Sequence, residues 1–216
     1  MERDIIVTED GSSSLIIKEW GETFHSKHGA IQESKHVYID AGLSKIDDKV
    51  INVLEFGFGT GLNALLTAKY AEDNHKIIHF ETVEAYPLTE KEYSILNYSS
   101  LVNTKLPFTT LHNVSFDQFH ELTNYFSIYK QLESFENFQP RYKCDIVYYD
   151  VFGFDYQPHL WDIAILEKAY NALKENGIFV TYACKGEVNR RLRALGFKVY
   201  KVPGPPGKRE MTFAVK

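Results

Sequence analysis

The sequence predicts an α/β fold: a doubly wound, mostly parallel sheet with an antiparallel end and a small N-terminal hairpin-and-helix extension. Three observations predict it. Apolar, β-branched runs of strand length recur at 51–56, 77–84, 145–150 and 178–183. Segments of helical spacing separate most of them, the alternation that builds parallel strands joined by helices. The last two strand-like runs, 199–202 and 210–215, follow one another without a helix between, so the sheet should close with an antiparallel pair.

Residues 5–8 and 15–18 flank Glu9-Asp10-Gly11-Ser12-Ser13 and read as a β-hairpin with an Asp-Gly turn. A helix falls within 29–41, with Ile31, Val37 and Ile39 apolar against Glu33, Ser34 and His36. Strand 51–56 breaks into Gly57-Phe58-Gly59-Thr60-Gly61, and the good helix formers from Leu62 to Ala68 open a helix. Strand 77–84 follows, then a helix start at Pro87-Leu88-Thr89-Glu90. Residues 108–112 read as a third strand, with a helix from Ser115 that takes in Asp117 and Phe119. Segment 124–141 is rich in Tyr, Phe and Gln without clear periodicity and reads as an insertion or partly helical crossover. Strand 145–150 precedes an amphipathic helix over 161–173, capped by Asn176-Gly177. Strand 178–183, a helix over 187–195 closed by Gly196, and the closing pair complete the chain. Residues 1–45 are expected to form an extension packed on a main domain at 46–216.

At 216 residues and 44% hydrophobic content the chain suits one sizeable domain. Its start, Met1-Glu2-Arg3-Asp4, is charged and no long apolar stretch follows, so no secretory signal is expected. No apolar run approaches the roughly 18–20 residues that span a bilayer. Cys144 and Cys184 are too far apart for a metal knuckle and read as reduced, packed thiols of a cytoplasmic protein. His25-Ser26-Lys27-His28 supplies at most two ligands, so no metal site is expected. The net charge of −5 hides a contrast: between 185 and 209, eight basic residues (Lys185, Arg190, Arg191, Arg193, Lys198, Lys201, Lys208, Arg209) face one acid, Glu187, which gives +7 there and leaves −12 elsewhere. A basic stripe on an acidic body suits docking of a phosphate backbone at one face. A solvated helix face is the competing reading, and the run taken alone slightly favours it.

Glycines at alternate positions let the backbone turn tightly and approach a ligand closer than any Cβ allows. The spacing is G-x-G-x-G with Glu55 two residues ahead, not the G-x-G-x-x-G of dinucleotide binders. A carboxylate there would repel a pyrophosphate but suits a cationic or zwitterionic ligand such as S-adenosylmethionine (SAM), with its ammonium, carboxylate and sulfonium. Glu55, Gly57, Gly59, Gly61 and Asn63 are therefore candidate cofactor residues. Glu84 ends the second strand close to the roughly 20 residues at which an acid accepts ribose hydroxyls in Rossmann-like folds. A purely structural strand–turn–helix would explain the glycines but not this second acid. Asp150 ends the fourth strand, which in SAM-binding folds lies beside the first, so it should enter the same crevice. An aromatic turn follows, with Phe152 and Trp161 able to stack on a flat base or lie against a sulfonium; each taken alone reads more readily as core, and Asp150 can also be read as an N-cap or buried acceptor.

Four separated motifs carry a resemblance that runs over nearly the whole chain. Leu54-Glu55-Phe56-Gly57-Phe58-Gly59-Thr60-Gly61-Leu62-Asn63 resembles the signature of the methyltransferase domain of the bifunctional tRNA wobble-uridine enzyme MnmC. Asp150-Val151-Phe152 leading to Pro158-His159-Leu160-Trp161 is similar to that family's Asp-Ala-Phe leading to Pro-x-Met-Trp. Val188-Asn189-Arg190-Arg191 and Lys208-Arg209-Glu210-Met211 stand where it has Val-Arg-Arg and Lys-Arg-Glu-Met. Gln32-Glu33-Ser34-Lys35-His36-Val37-Tyr38 looks like its Glu-Ser/Thr-Arg-x-Val-Phe element. The family's Pro-Ala-Lys-Asn-Pro run is replaced by Phe154-Asp155-Tyr156-Gln157-Pro158, which lacks one proline and the lysine.

The resemblance implies a Rossmann-like class I SAM-dependent methyltransferase that acts on 5-aminomethyl-(2-thio)uridine at the tRNA wobble position and methylates its amine. The chain ends just after the methyltransferase motifs, so the resemblance implies SAM without FAD, and a separate oxidoreductase to supply the aminomethyl substrate. A monomer is expected. Methyl transfer is an in-line displacement in which positioning supplies much of the rate, and a protonated amine has no lone pair to attack with. Asp150 is the candidate to orient the amine and accept its proton. Glu55 and the glycine amides would hold the methionine part of SAM and Glu84 the ribose. Phe152 and Trp161 would shape the base pocket, and Arg190, Arg191, Lys208 and Arg209 would hold the anticodon stem-loop. The rivals are a polyamine aminopropyltransferase with Asp155 as a second amine-binding acid, against which the basic stripe argues, and another small-amine methyltransferase of the same fold. A nicotinamide oxidoreductase has the wrong glycine spacing, and a non-catalytic SAM- or RNA-binding module leaves the three acids without a task.

Overall fold

The computed structural model describes residues 2–216. Its N-terminal part is a three-stranded antiparallel sheet of β1 (Arg3–Val7), β2 (Ser13–Ile17) and β3 (Glu22–Thr23), with Gly11 at φ 81 in the turn where the Asp-Gly pair predicted it. Helix α1 (Ala30–Ser34) continues as a π-helical stretch, Lys35–Asp40, and a 3-10 turn at Leu43–Lys45 leads to the main sheet.

That sheet has eight strands: β4 (Val50–Phe56), β5 (Ile77–Val83), β6 (Phe119–Glu121), β7 (Phe126–Gln131), β8 (Cys144–Tyr149), β9 (Leu173–Thr181), β10 (Lys198–Pro203) and β11 (Glu210–Val215), in the spatial order β10-β11-β9-β8-β4-β5-β7-β6. The five strands from β9 to β7 are mutually parallel; β10 and β11 close one end antiparallel and β6 the other. Period-two alternation sorts the core onto both faces. Ile51, Val53, Ile146 and Tyr148 join one cluster, packed against α2 (Leu62–Asn74), while Leu54, Phe56, Val147 and Tyr149 join the other, under α6 (Ile163–Ala172) and α7 (Gly186–Ala194). After β4 the chain builds outward through β5 and β7, then returns to place β8 on β4's other side. That reversal puts the crevice between the ends of β4 and β8.

The structure corrects the stretch between Glu84 and Arg141. Short helices α3 (Glu90–Tyr93) and α4 (Tyr98–Leu101) precede α5 (Phe108–Asn113), so 108–112 is helical and the helix expected from Ser115 is replaced by strand β6. The third parallel strand is β7, inside the segment read as an insertion. Tertiary contacts override local propensity here: the buried Lys130 of β7 donates to Leu111 O and His112 O, both at 2.9 Å, satisfying carbonyls at the end of α5. Helix α6 ends at Ala172; Asn176, at φ 62, with Gly177 forms an irregularity within β9 and not a helix cap. Among the described residues no helix is long and apolar enough to cross a membrane.

Candidate active site

The glycine loop leaves β4 under tight constraint. Gly57 donates its N–H to Val83 O at 3.1 Å, and a Cβ on it, at φ +93, would sit 2.5 Å from Asp150 O. Only glycine lets the loop after β4 lie against the end of β8. Gly59 has φ +50, and Gly61, at φ +76, is the left-handed N-cap of α2. A cavity of about 400 Å³ opens over this loop, walled by Gly57, Gly59, Asn63, Glu84, Asp150 and Phe152.

Glu84 lies at the cavity's edge. Its Oε2 accepts from Gly59 N at 3.0 Å and its Oε1 from Tyr86 N at 2.7 Å. Glu55 does not line the cavity, which corrects its expected contact with SAM. Strand alternation turns it, with Ile51 and Val53, toward α2, where it is fully buried. There Oε1 accepts from Asn63 Nδ2 at 3.0 Å and Oε2 from Thr82 Oγ1 at 2.8 Å. Burial holds its carboxyl well above the usual range, against the pull of the Thr82 bond. Gly61 likewise serves the helix start and lies outside the cavity lining.

Asn63 joins the two acids. Its Nδ2 also donates to Asp150 Oδ2 at 2.7 Å, and contact with two carboxylates settles the orientation of the amide. Its Oδ1 is buried without a partner among the described residues. Tyr38 donates its hydroxyl to Asp150 Oδ1 at 2.6 Å. Burial lifts the Asp150 pKa to about 6, and the bonds from Tyr38 and Asn63 pull it back down. At neutral pH Asp150 is therefore mostly a carboxylate, nearer neutrality than an exposed aspartate.

The N-terminal part also lines the cavity, with Phe24, His25 and Glu33 among its residues. The Phe152 ring meets Phe24 edge-on at 5.0 Å and Trp20 at 5.7 Å, and a Cβ on Gly59 would stand 3.4 Å from the Phe24 ring. Glu33 is buried, and Lys208 also lies on the cavity wall, 3.9 Å from the centre of the Tyr182 ring. His25 is held neutral by burial, which takes its pKa to about 4.

Several predicted residues sit elsewhere. Trp161 is fully buried and outside the cavity lining, its Nε1 donating to Phe152 O at 2.9 Å, so it supports Phe152 and does not itself wall the cavity. Lys208 is in the cavity and not on an outer phosphate-facing stripe. Arg191 is tied down, donating to Asp162 Oδ1 at 2.7 Å, Trp161 O at 2.8 Å and Glu187 Oε1 at 3.1 Å. Arg190 is exposed and shares Glu187, and Arg209 is exposed. Glu33, Tyr38 and Phe24 had no assigned role; the first two lay in a motif noted only for its resemblance, since their partners are more than a hundred residues away.

A glycine cradle after the first parallel strand, an acid after the second and a switch point beside the first define a class I SAM-dependent methyltransferase fold. A family model described as S-adenosyl-L-methionine-dependent methyltransferase matches residues 99–216, and the chain belongs to that family. Among curated relatives, the tRNA 5-methylaminomethyl-2-thiouridine biosynthesis bifunctional protein MnmC of Leptospira interrogans is 29% identical over 95% of this chain, and that of Burkholderia thailandensis 29% over 96%. The chain spans 34% of the length of each. The crystal structure of MNMC2 from Aquifex aeolicus superposes with a TM-score of 0.79 at 28% identity, covering 99% of this chain and 69% of that one. Spermidine synthase from Thermotoga maritima shares the fold alone, with a TM-score of 0.60 at 14% identity over 99% of this chain and 68% of its own.

The residues present fit SAM. Gly57 admits no Cβ, Glu84 presents a carboxylate at the cavity's edge, and Asn63 Oδ1 is an acceptor in want of a donor. Among the described residues no group of three or more His, Cys, Asp or Glu is placed to hold a metal ion.

Proposed function

We propose that this chain is the N-methyltransferase that converts 5-aminomethyl-(2-thio)uridine at the tRNA wobble position to its 5-methylaminomethyl form. The observation that carries the reading is Asp150, its two oxygens held by different donors, on the wall of a cavity shared with the glycine cradle. The names of the aligned relatives support the same nucleoside. SAM, held by the loop glycines and Glu84, would supply an electrophilic methyl group with a thioether as leaving group.

The chain's own residues then have separable tasks. Asp150 takes a hydrogen bond from the amine, and the proton that must leave for the nitrogen to be nucleophilic, directly or through water. Phe152 and Phe24 offer aromatic surface to the pyrimidine. Lys208 is held on the same wall by its ion pair with Glu33. Arg190 and Arg209, exposed on the C-terminal part, contact the anticodon stem-loop. We further infer a cytoplasmic monomer that receives its aminomethyl substrate from a separate oxidoreductase, with residues 1–45 as an extension contributing to the cavity wall.

The test is methyl transfer from labelled SAM to tRNA lacking the wobble methyl, read by nucleoside mass spectrometry. One methyl gained on 5-aminomethyl-2-thiouridine is the expected result. No transfer, with SAM binding intact by calorimetry, would overturn the substrate and make a polyamine the next acceptor to try.

A further inference from the structure

Tyr38 stands 112 residues from Asp150 in sequence, yet the two share the shortest hydrogen bond made to that carboxylate. Tyr38 lies in the π-helical stretch Lys35–Asp40, where Ala41 N donates to His36 O, five residues back. Such stretches recur at functional sites. In a continuous α-helix, residue 38 would be turned about 140° from residue 33. The wider π turn lets Glu33 reach Lys208 on the cavity wall while Tyr38 reaches Asp150. Tyr38 is buried, with its ring tilted against Tyr148 at 5.0 Å, so packing fixes where the hydroxyl can point.

We propose that Tyr38 is the positioning residue for Asp150: together with Asn63 it engages one oxygen each, stops rotation of the carboxylate, and leaves the remaining lone pairs of both oxygens to the acceptor amine. The inference rests on the reading of Asp150 as the group that holds the amine. The groups that face Asp150 are Tyr38 from the π stretch, Asn63 from α2, buried Glu55 from β4, Glu33 from α1, Lys208 from the loop before β11 and Tyr182 after β9. Tyr38, Asn63 and Lys208 favour the carboxylate, whereas Glu33 and burial oppose it. Loss of the Tyr38 hydroxyl therefore moves Asp150 further up.

The test uses the full chain with Tyr38→Phe and, separately, 3-fluorotyrosine at position 38, whose more acidic phenol is the stronger donor. Carboxyl-carbon NMR of aspartate-labelled protein, without SAM or tRNA and assigned with Asp150→Asn, reads the Asp150 midpoint; kcat, KM, SAM affinity and Tm are measured beside it. Tyr38→Phe is expected to raise the midpoint and lower kcat roughly tenfold or more, the rate equivalent of one charge-assisted hydrogen bond. KM and SAM affinity stay within about threefold, since uniform binding is untouched. The fluorinated residue should lower the midpoint. An unmoved midpoint in folded Tyr38→Phe, or a loss confined to Tm, overturns the proposal. If tRNA is not the acceptor, the NMR arm still decides whether Tyr38 sets the Asp150 carboxylate, whereas wild-type turnover in Asp150→Ala would sink the amine-holding reading alone.

Discussion

Glu33 Oε1 accepts an ion-paired hydrogen bond of 2.6 Å from Lys208 Nζ, which ties the N-terminal helix to the loop that enters the last strand, 175 residues later. Glu33 is further fixed by Ser26 N, which donates to its Oε2 at 2.6 Å. Lys208→Met would leave a buried carboxylate without its cation and should cost about 2–3 kcal/mol. Glu33→Gln with Lys208→Met should cost less than the two single losses together. Thermal unfolding of the four proteins measures this coupling, and strictly additive losses would show an inert pair.

Asp150 should reveal a cost of function in stability. Its folded pKa of about 6 lies above the ordinary 3.8, so the folded chain holds that proton more tightly than the unfolded chain. Its contribution favours folding at low pH and is lost as pH rises from 3.8 through about 6. Asp150→Asn removes the buried charge, and the Tyr38 hydroxyl can reverse to accept from the new amide. The variant should melt a few degrees above wild type at pH 7.5, on the order of 2 kcal/mol, gain nothing at pH 4, and lose methyl transfer. A melting gain that did not change with pH would place its origin outside this ionisation.

Gly57→Ala sets a Cβ 2.5 Å from Asp150 O at φ +93. A loss of about 2 kcal/mol or more is expected, with SAM affinity weakened at least tenfold in calorimetry because β4 and β8 must part at the cradle. Gly11→Ala is the control: at φ +81 with nothing within 4 Å, it carries backbone strain alone, about 1 kcal/mol, and SAM affinity should not change.

Arg190 and Arg191 should separate binding from folding. Arg190 is exposed, so Arg190→Ala should leave Tm unchanged and reduce the salt slope of tRNA binding by about one. Arg191 braces α7 against the Trp161–Asp162 turn, so Arg191→Ala should lower Tm with a smaller effect on that slope. A salt slope unmoved by Arg190→Ala would place the RNA on another face.

The alternation of strand and helix around β4, β5, β8 and β9 was legible because it is written in local periodicity, which neighbours reinforce. Phe108–Asn113 reads as a strand from its composition, Phe-Thr-Thr-Leu-His-Asn, yet forms a helix whose last carbonyls accept from Lys130 of a distant strand. In β7 the same buried lysine breaks the alternation a reader looks for. Trp161 shows the limit at the site: an aromatic near a pocket motif reads alike whether its ring faces the ligand or backs the residue that does.

Local chemistry was enough to specify the glycine cradle, the acids at Glu84 and Asp150, and the parallel sheet that brings their loops to one edge. Turn geometry and strand period act over a few residues and are visible in a linear chain. Which face each acid takes, and so whether Glu55 meets a ligand or holds Asn63, followed from register with α2. Whether Lys208 meets solvent or Glu33, and whether anything grips Asp150 from below, followed from contacts across 175 and 112 residues. Only packing sets those pairings, because a side chain's partner depends on where the whole fold carries it.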